Sequence, residues 1–135
     1  MNGILEALWQ LEETQMLLHG ALAHRRPRLT GVSSVHRAML CAAIRAKKGQ
    51  KLLVLCSDEK EVQRCASDLR ALTGEEVTVL QGRAWQFRPA AASRQWEHRR
   101  LRALYEMAAG NADMVVATVE AAVQPLTPSR VGTRK

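Results

Sequence analysis

No apolar run in this chain of 135 residues approaches the roughly 20 residues of a membrane-spanning helix. The opening residues MNGILEALWQLEE lack the basic start, apolar core and cleavage site of a signal peptide, which predicts a cytoplasmic protein with no membrane partner. Cys41, Cys56 and Cys65 are odd in number, none belongs to a C-x-x-C pair and all sit among apolar neighbours, so they are most simply read as reduced core thiols. His19, His24, His36 and His98 show no zinc-like spacing with the cysteines or with one another, and no metal is expected. Internal repeats and low-complexity runs are absent, and 47% hydrophobic with 24% charged residues disfavours both disorder and a coiled coil.

What is present is an excess of base. Twenty Lys and Arg stand against 13 Asp and Glu, a net charge of +7. Such an excess suits a polyanionic partner such as nucleic acid, and equally a solvated basic surface or one that docks on an acidic neighbouring domain.

Periodicity orders the chain as a leading helix followed by alternating strands and helices. Ile4, Leu5, Leu8, Leu11, Leu18 and Leu22 recur at helical spacing and predict one amphipathic helix over 3–23. Leu29 to Val32 is read as a short first strand that runs into a helix stopped by Gly49. LLVLC at 52–56 is a continuous apolar run, expected of a strand covered on both faces in a parallel sheet. Asp58 with Glu61 forms a capping box, and Val62, Cys65, Leu69 and Leu72 give the next helix a buried stripe that ends at Gly74. VTVL at 77–80 is a third strand and 81–92 a loop. Ser93 then opens a helix carrying Trp96, Leu101, Leu104 and Tyr105, and MVVAT at 114–118 is the fourth strand. The fold class is α/β: a three-layer α/β/α arrangement with a mainly parallel sheet of about four strands, and binding expected at the strands' carboxyl ends. Residues 1–128 form the domain, and 129–135 read as a tail or the start of a linker to a following domain.

The stretch LTGVSSVHRAM at 29–39 has the strand, glycine turn and helix of a phosphate loop. Counted from Gly31, His36 stands where the pattern has its second glycine, Arg37 where it has lysine, and Ala38 where it has the magnesium-binding hydroxyl. Ser33 and Ser34 complete a loop that keeps the shape and loses the chemistry, so no nucleotide cofactor and no catalytic residue are assigned. Two other basic groups are candidates. Arg83, Trp85, Phe87 and Arg88 alternate basic and aromatic side chains in the loop QGRAWQFRP, which fits nucleic-acid backbone and bases, or burial of the aromatics with solvated arginines. Arg25, Arg26, Arg28, Arg37 and Arg45 gather near the first strand and its helix, as a phosphate-backbone contact or as a solvated surface. Around Trp96, the residues Glu97, His98, Arg99 and Arg100 offer no partnered constellation for catalysis, and Glu97 with Arg100 reads as a helix-face pair.

Three segments, LTGVSSVHRAMLCAAI, QKLLVLCSDEKEVQRCASDLRAL and SRQWEHRRLRALYEMAAGNADMVVATVEAAVQPL, together resemble the amino-terminal module of bacterial transcription-repair coupling factors (Mfd). That module is similar to the first helicase half-domain of the excision-repair protein UvrB. The resemblance covers about 1–128 and implies a degenerate, P-loop-NTPase-like helicase half-domain. The departures at His36, Arg37 and Ala38 favour the coupling factor, whose module has lost the loop, over UvrB-like proteins, which keep it. It further implies a non-catalytic scaffold and interaction module in transcription-coupled nucleotide excision DNA repair, with ATP used only by separate motor domains of the full-length family protein. The implied partners are neighbouring domains of the same protein and, for the full-length family, RNA polymerase, UvrA and double-stranded DNA. Arg94 and Arg99 join Arg83, Trp85, Phe87 and Arg88 as candidate nucleic-acid or interdomain contacts. A nucleotide- or DNA-binding helicase fragment with weak phosphate affinity at Gly31–Ala38 is the alternative.

Overall fold

The computed structural model describes residues 3–82 and 90–124, and side chains over 3–82 and 94–124. Two short helices, α1 (Gly3–Trp9) and α2 (Glu12–Leu22), precede α3 (Ser34–Lys48), β1 (Leu52–Cys56), α4 (Glu59–Thr73), β2 (Thr78–Leu80), α5 (Ala90–Ala108), β3 (Met114–Thr118) and α6 (Val119–Val123). The three strands form one parallel sheet in the order β1-β3-β2. Among the described residues no helix is long and apolar enough to cross a membrane.

Strand β3 is central and all five of its residues are buried. Side chains alternate across a strand, so Met114 and Val116 face one way and Val115 and Ala117 the other. The first pair joins Leu5, Ala42, Ala43, Val62, Ala66 and Leu69 in a core under α1, α3 and α4. The second pair joins Leu80, Ala103 and Ala121 in a smaller core under α5 and α6. Helices thus cover both faces of a small α/β sheet. Small side chains bring α3 and α4 together, since Ala42, Ala43 and Ala66 are fully buried.

The ends of α3 and α4 follow their local chemistry. Ser33 and Asp58 are the N-caps, accepting from His36 N and Glu61 N, and Gly49 and Gly74 close the helices at φ of 61° and 69°. Positive φ carries little penalty in glycine, and the amide of each glycine donates back into the last turn. At the amino end of the sheet, Arg45 donates to Asp113 Oδ2 at 2.9 Å, to Glu75 Oε2 at 3.1 Å and to the carbonyl of Gly49 at 2.8 Å. One guanidinium thereby ties the end of α3 to the start of β3 and to the α4–β2 turn.

Four expectations need correction. Leu29–Val32 is not a strand, and among the described residues the sheet has three strands instead of about four. Gly31 sits at φ 74°, in the left-handed region, which interrupts any extended run of useful length. The helix expected over 3–23 is two helices, because Leu11 is extended (φ −70°, ψ 134°) and the Gln15 amide donates to the carbonyl of Trp9 at 2.8 Å. Strand β1 is not covered on both faces: it is an edge, and Leu53 and Leu55 are 58% and 47% exposed on the face where α5 packs over β2 and β3. In α5 the buried stripe is Arg100, Ala103, Leu104 and Met107, while Leu101 and Tyr105 point outward, Tyr105 being 70% exposed.

This burial pattern sets opposite expectations for two apolar residues of the same sheet. Met114→Ala should lower unfolding free energy by about 2–5 kcal/mol, because a fully buried central side chain leaves a cavity. Leu53→Thr should change it by less than about 1 kcal/mol, as at other exposed positions. Urea unfolding of the two variants measures the contrast.

Candidate functional site

The carboxyl end of β1 meets the amino ends of α3 and α4, the location at which open parallel sheets bind ligands. A basin there is lined by Ser34, Arg37, Ser57, Asp58, Glu61 and Arg64. The residues of the phosphate-loop-like stretch divide between it and the interior. Gly31 forms the turn, and space around its Cα is open, so glycine is needed there for its positive φ and not for close approach. Ser33 is used up as a cap: its hydroxyl lies 3.4 Å from His36 N and 3.1 Å from His36 Nδ1. Ala38 is fully buried and faces the core, not the basin.

Arg37 does reach the basin, where its guanidinium pairs with the Glu61 carboxylate. Glu61 is itself held from the other side, accepting from Ser57 N at 3.1 Å and from Ser57 Oγ at 2.8 Å. The capping arrangement read from Asp58 and Glu61 is present with one shift: Glu61 reaches the amide of Ser57, one residue before the cap. The two Ser57 hydrogen bonds, with the Arg37 charge after them, hold the Glu61 carboxyl below its ordinary value. A carboxylate of the protein therefore occupies the hydrogen-bonding position that a bound anion would take beside Arg37.

Below the basin lies an apolar cleft of about 230 Å³ whose walls include Leu29, Leu40, Ile44, Val54 and all three cysteines. The thiols are free, and burial first of all pushes each upward, Cys65 to about 12. Protonated thiols are weak nucleophiles and weak metal ligands. Among the described residues no group of three His, Cys, Asp or Glu is placed to hold a metal ion.

The other candidates do not join this site. Arg45 lies at the opposite end of α3 from Arg37 and is committed to Asp113 and Glu75, so the basic group read around the first strand divides in two. Arg94 and Arg99 are exposed on α5, across the sheet from α3. Arg83, Trp85, Phe87 and Arg88 lie outside the described residues. Arg100 is not the helix-face partner of Glu97: it is buried, and its guanidinium donates to the carbonyls of Gln81 at 2.6 Å and Ala121 at 3.4 Å. Those carbonyls follow β2 and lie in α6, so Arg100 locks the carboxyl ends of β2 and β3 together, and burial lowers its pKa. Its position was readable in the spacing 100, 103, 104, 107, once alanine and methionine are allowed to define the stripe.

No protein-family model matches the chain, and neither a curated protein nor a solved structure matches it.

Two measurements test this geometry. The Glu61 carboxyl is lowered, so its contribution to stability is present above about 4.5 and lost as pH falls through the lowered folded value. Urea midpoints of the native chain and Glu61→Gln should therefore differ most at neutral pH and converge in acid. Cys56 and Cys65 should react with a thiol reagent in the native chain far more slowly than in urea, as mass spectrometry of the labelled sites would show.

Proposed function

We propose that this chain is a non-catalytic scaffold and interaction module of the transcription-repair coupling factor type, a UvrB-like half-domain serving transcription-coupled nucleotide excision DNA repair. The sequence resemblance over about 1–128 motivates the family. The observation that carries the non-catalytic reading is the Arg37–Glu61–Ser57 network. A working phosphate loop presents backbone N–H groups, a free lysine and a metal-binding hydroxyl to the nucleotide. Here the helix amino end is capped by Ser33, the cation is matched by an internal carboxylate, and the third position is a buried alanine. ATP would have to displace Glu61 and would find a buried alanine, Ala38, where the pattern places the magnesium-binding hydroxyl.

In this reading the turn at 31–38 is a folding element that joins α3 to the rest of the sheet, and the surfaces of the module serve neighbouring domains of the same protein. Any traffic with RNA polymerase, UvrA or double-stranded DNA belongs to the longer assembly.

Calorimetric titration of magnesium ATP tests the reading. The native chain should give no saturable heat at millimolar nucleotide, and Arg37→Ala should leave that result unchanged while lowering the unfolding midpoint. Saturable binding abolished by Arg37→Ala would replace the scaffold by a helicase-like fragment that still cradles phosphate.

A further inference from the structure

Among the described residues the outer edge of β2 is unpaired, and the scaffold reading does not use it. In the sheet order β1-β3-β2 only one side of Thr78–Leu80 is hydrogen-bonded to a described strand. The other side opens into a groove of about 600 Å³, with Thr78 and Val79 on its floor. Helices α4 and α5 flank it from opposite faces of the sheet, α4 through Gln63 and Arg70 and α5 through Arg99, Arg102 and Glu106.

The wall groups differ in what they have left to give. Arg70 is committed to the carbonyl of Val77 at 2.9 Å, and Glu106 accepts from Asn111 Nδ2 at 3.2 Å. Arg99 and Arg102 are exposed, three residues apart on one helix, and neither makes an ion pair or hydrogen bond among the described residues. Main-chain donors and acceptors at a free edge form a template for another strand. Two free guanidinium groups beside that edge select the charge of what pairs there.

We propose that this groove takes an extended, acidic polypeptide segment, which adds to β2 as a further strand and sets its carboxylates against Arg99 and Arg102. Strand addition draws affinity from main-chain hydrogen bonds and selectivity from alternate side chains. A peptide fits better than a nucleic-acid backbone for two reasons. The floor offers peptide groups at strand geometry, and Glu76 and Glu106 on the same walls would repel an unbroken run of phosphates. A peptide can place its acids only where the arginines are. The inference stands apart from the reading of the α3 turn, because no residue of the groove belongs to the Arg37–Glu61 network.

The test is fluorescence anisotropy of the whole chain with the labelled peptide Thr-Val-Glu-Val-Glu-Val-Thr. Saturable binding is expected. It should weaken at least about tenfold when both glutamates of the peptide become lysine, when alternate peptide N–H groups are methylated, and in the double variant Arg99→Glu with Arg102→Glu. Both arginines are exposed, so an unchanged melting temperature of that variant separates lost binding from lost folding. Absence of binding at millimolar peptide would overturn the proposal, as would methylated peptide binding as well as the parent. Displacement of the peptide by oligo-thymidylate, with both ligands lost in the double variant, would make the surface a phosphate site and overturn it as well.

Discussion

Complete burial of Met114–Thr118 is the constraint on which the rest of the molecule depends. A central strand of a parallel sheet is covered on both faces, and this one strand contributes to both cores. Its odd and even residues divide them, with Met114 and Val116 under α1, α3 and α4, and Val115 and Ala117 under α5 and α6. A one-residue slip of β3 would send each set to the wrong layer. The Arg45 guanidinium opposes that slip at the amino end by holding Asp113, the residue that leads into the strand. Arg100 opposes it at the other end through the carbonyl of Ala121, in the helix that follows the strand.

These two arginines show how one side-chain type serves opposite environments. Arg45 is matched by two carboxylates, whose hydrogen bonds and charge raise its pKa, led by the bond to Glu75. Arg100 has carbonyl oxygens and no carboxylate among its partners, and desolvation lowers its pKa. A guanidinium tolerates this because it stays protonated well above neutral pH and spreads its donors over several acceptors. Removing Arg100 would leave the buried carbonyl of Ala121 without this donor, whereas the carboxylates released by removing Arg45 are half-exposed and can turn to water.

Legibility in the sequence followed the range of the interactions. Features set by a few neighbouring residues were readable: the Asp58 cap, the Gly49 and Gly74 stops, the strand at 114–118 and the helix between 59 and 73. Features set by position in the sheet were not. LLVLC reads as an interior strand, yet nothing local says that α5 covers only its neighbours and leaves Leu53 and Leu55 bare. The 29–32 segment has strand-like residues, but the φ of Gly31 is a property of the fold. In α5 the large apolar residues Leu101 and Tyr105 suggested the wrong face, because alanine, methionine and the stem of an arginine fill the real one. At the α3 turn the lost roles of Ala38 and His36 were legible, whereas the engagement of Arg37 by Glu61, 24 residues away, required the structure.

The two ends of the sheet and its two edges have different chemical standing. At the amino end, Arg45 and Lys51 are paired with Asp113 and Glu75. At the carboxyl end, where parallel α/β proteins hold their ligands, Glu61 satisfies Arg37 and main-chain carbonyls satisfy Arg100. These particular groups at both ends are engaged by internal partners, and a ligand binding to them would compete with bonds the fold already makes. The edges differ. The described structure leaves two leucines of β1 and the outer side of β2 open, the latter beside two uncommitted arginines.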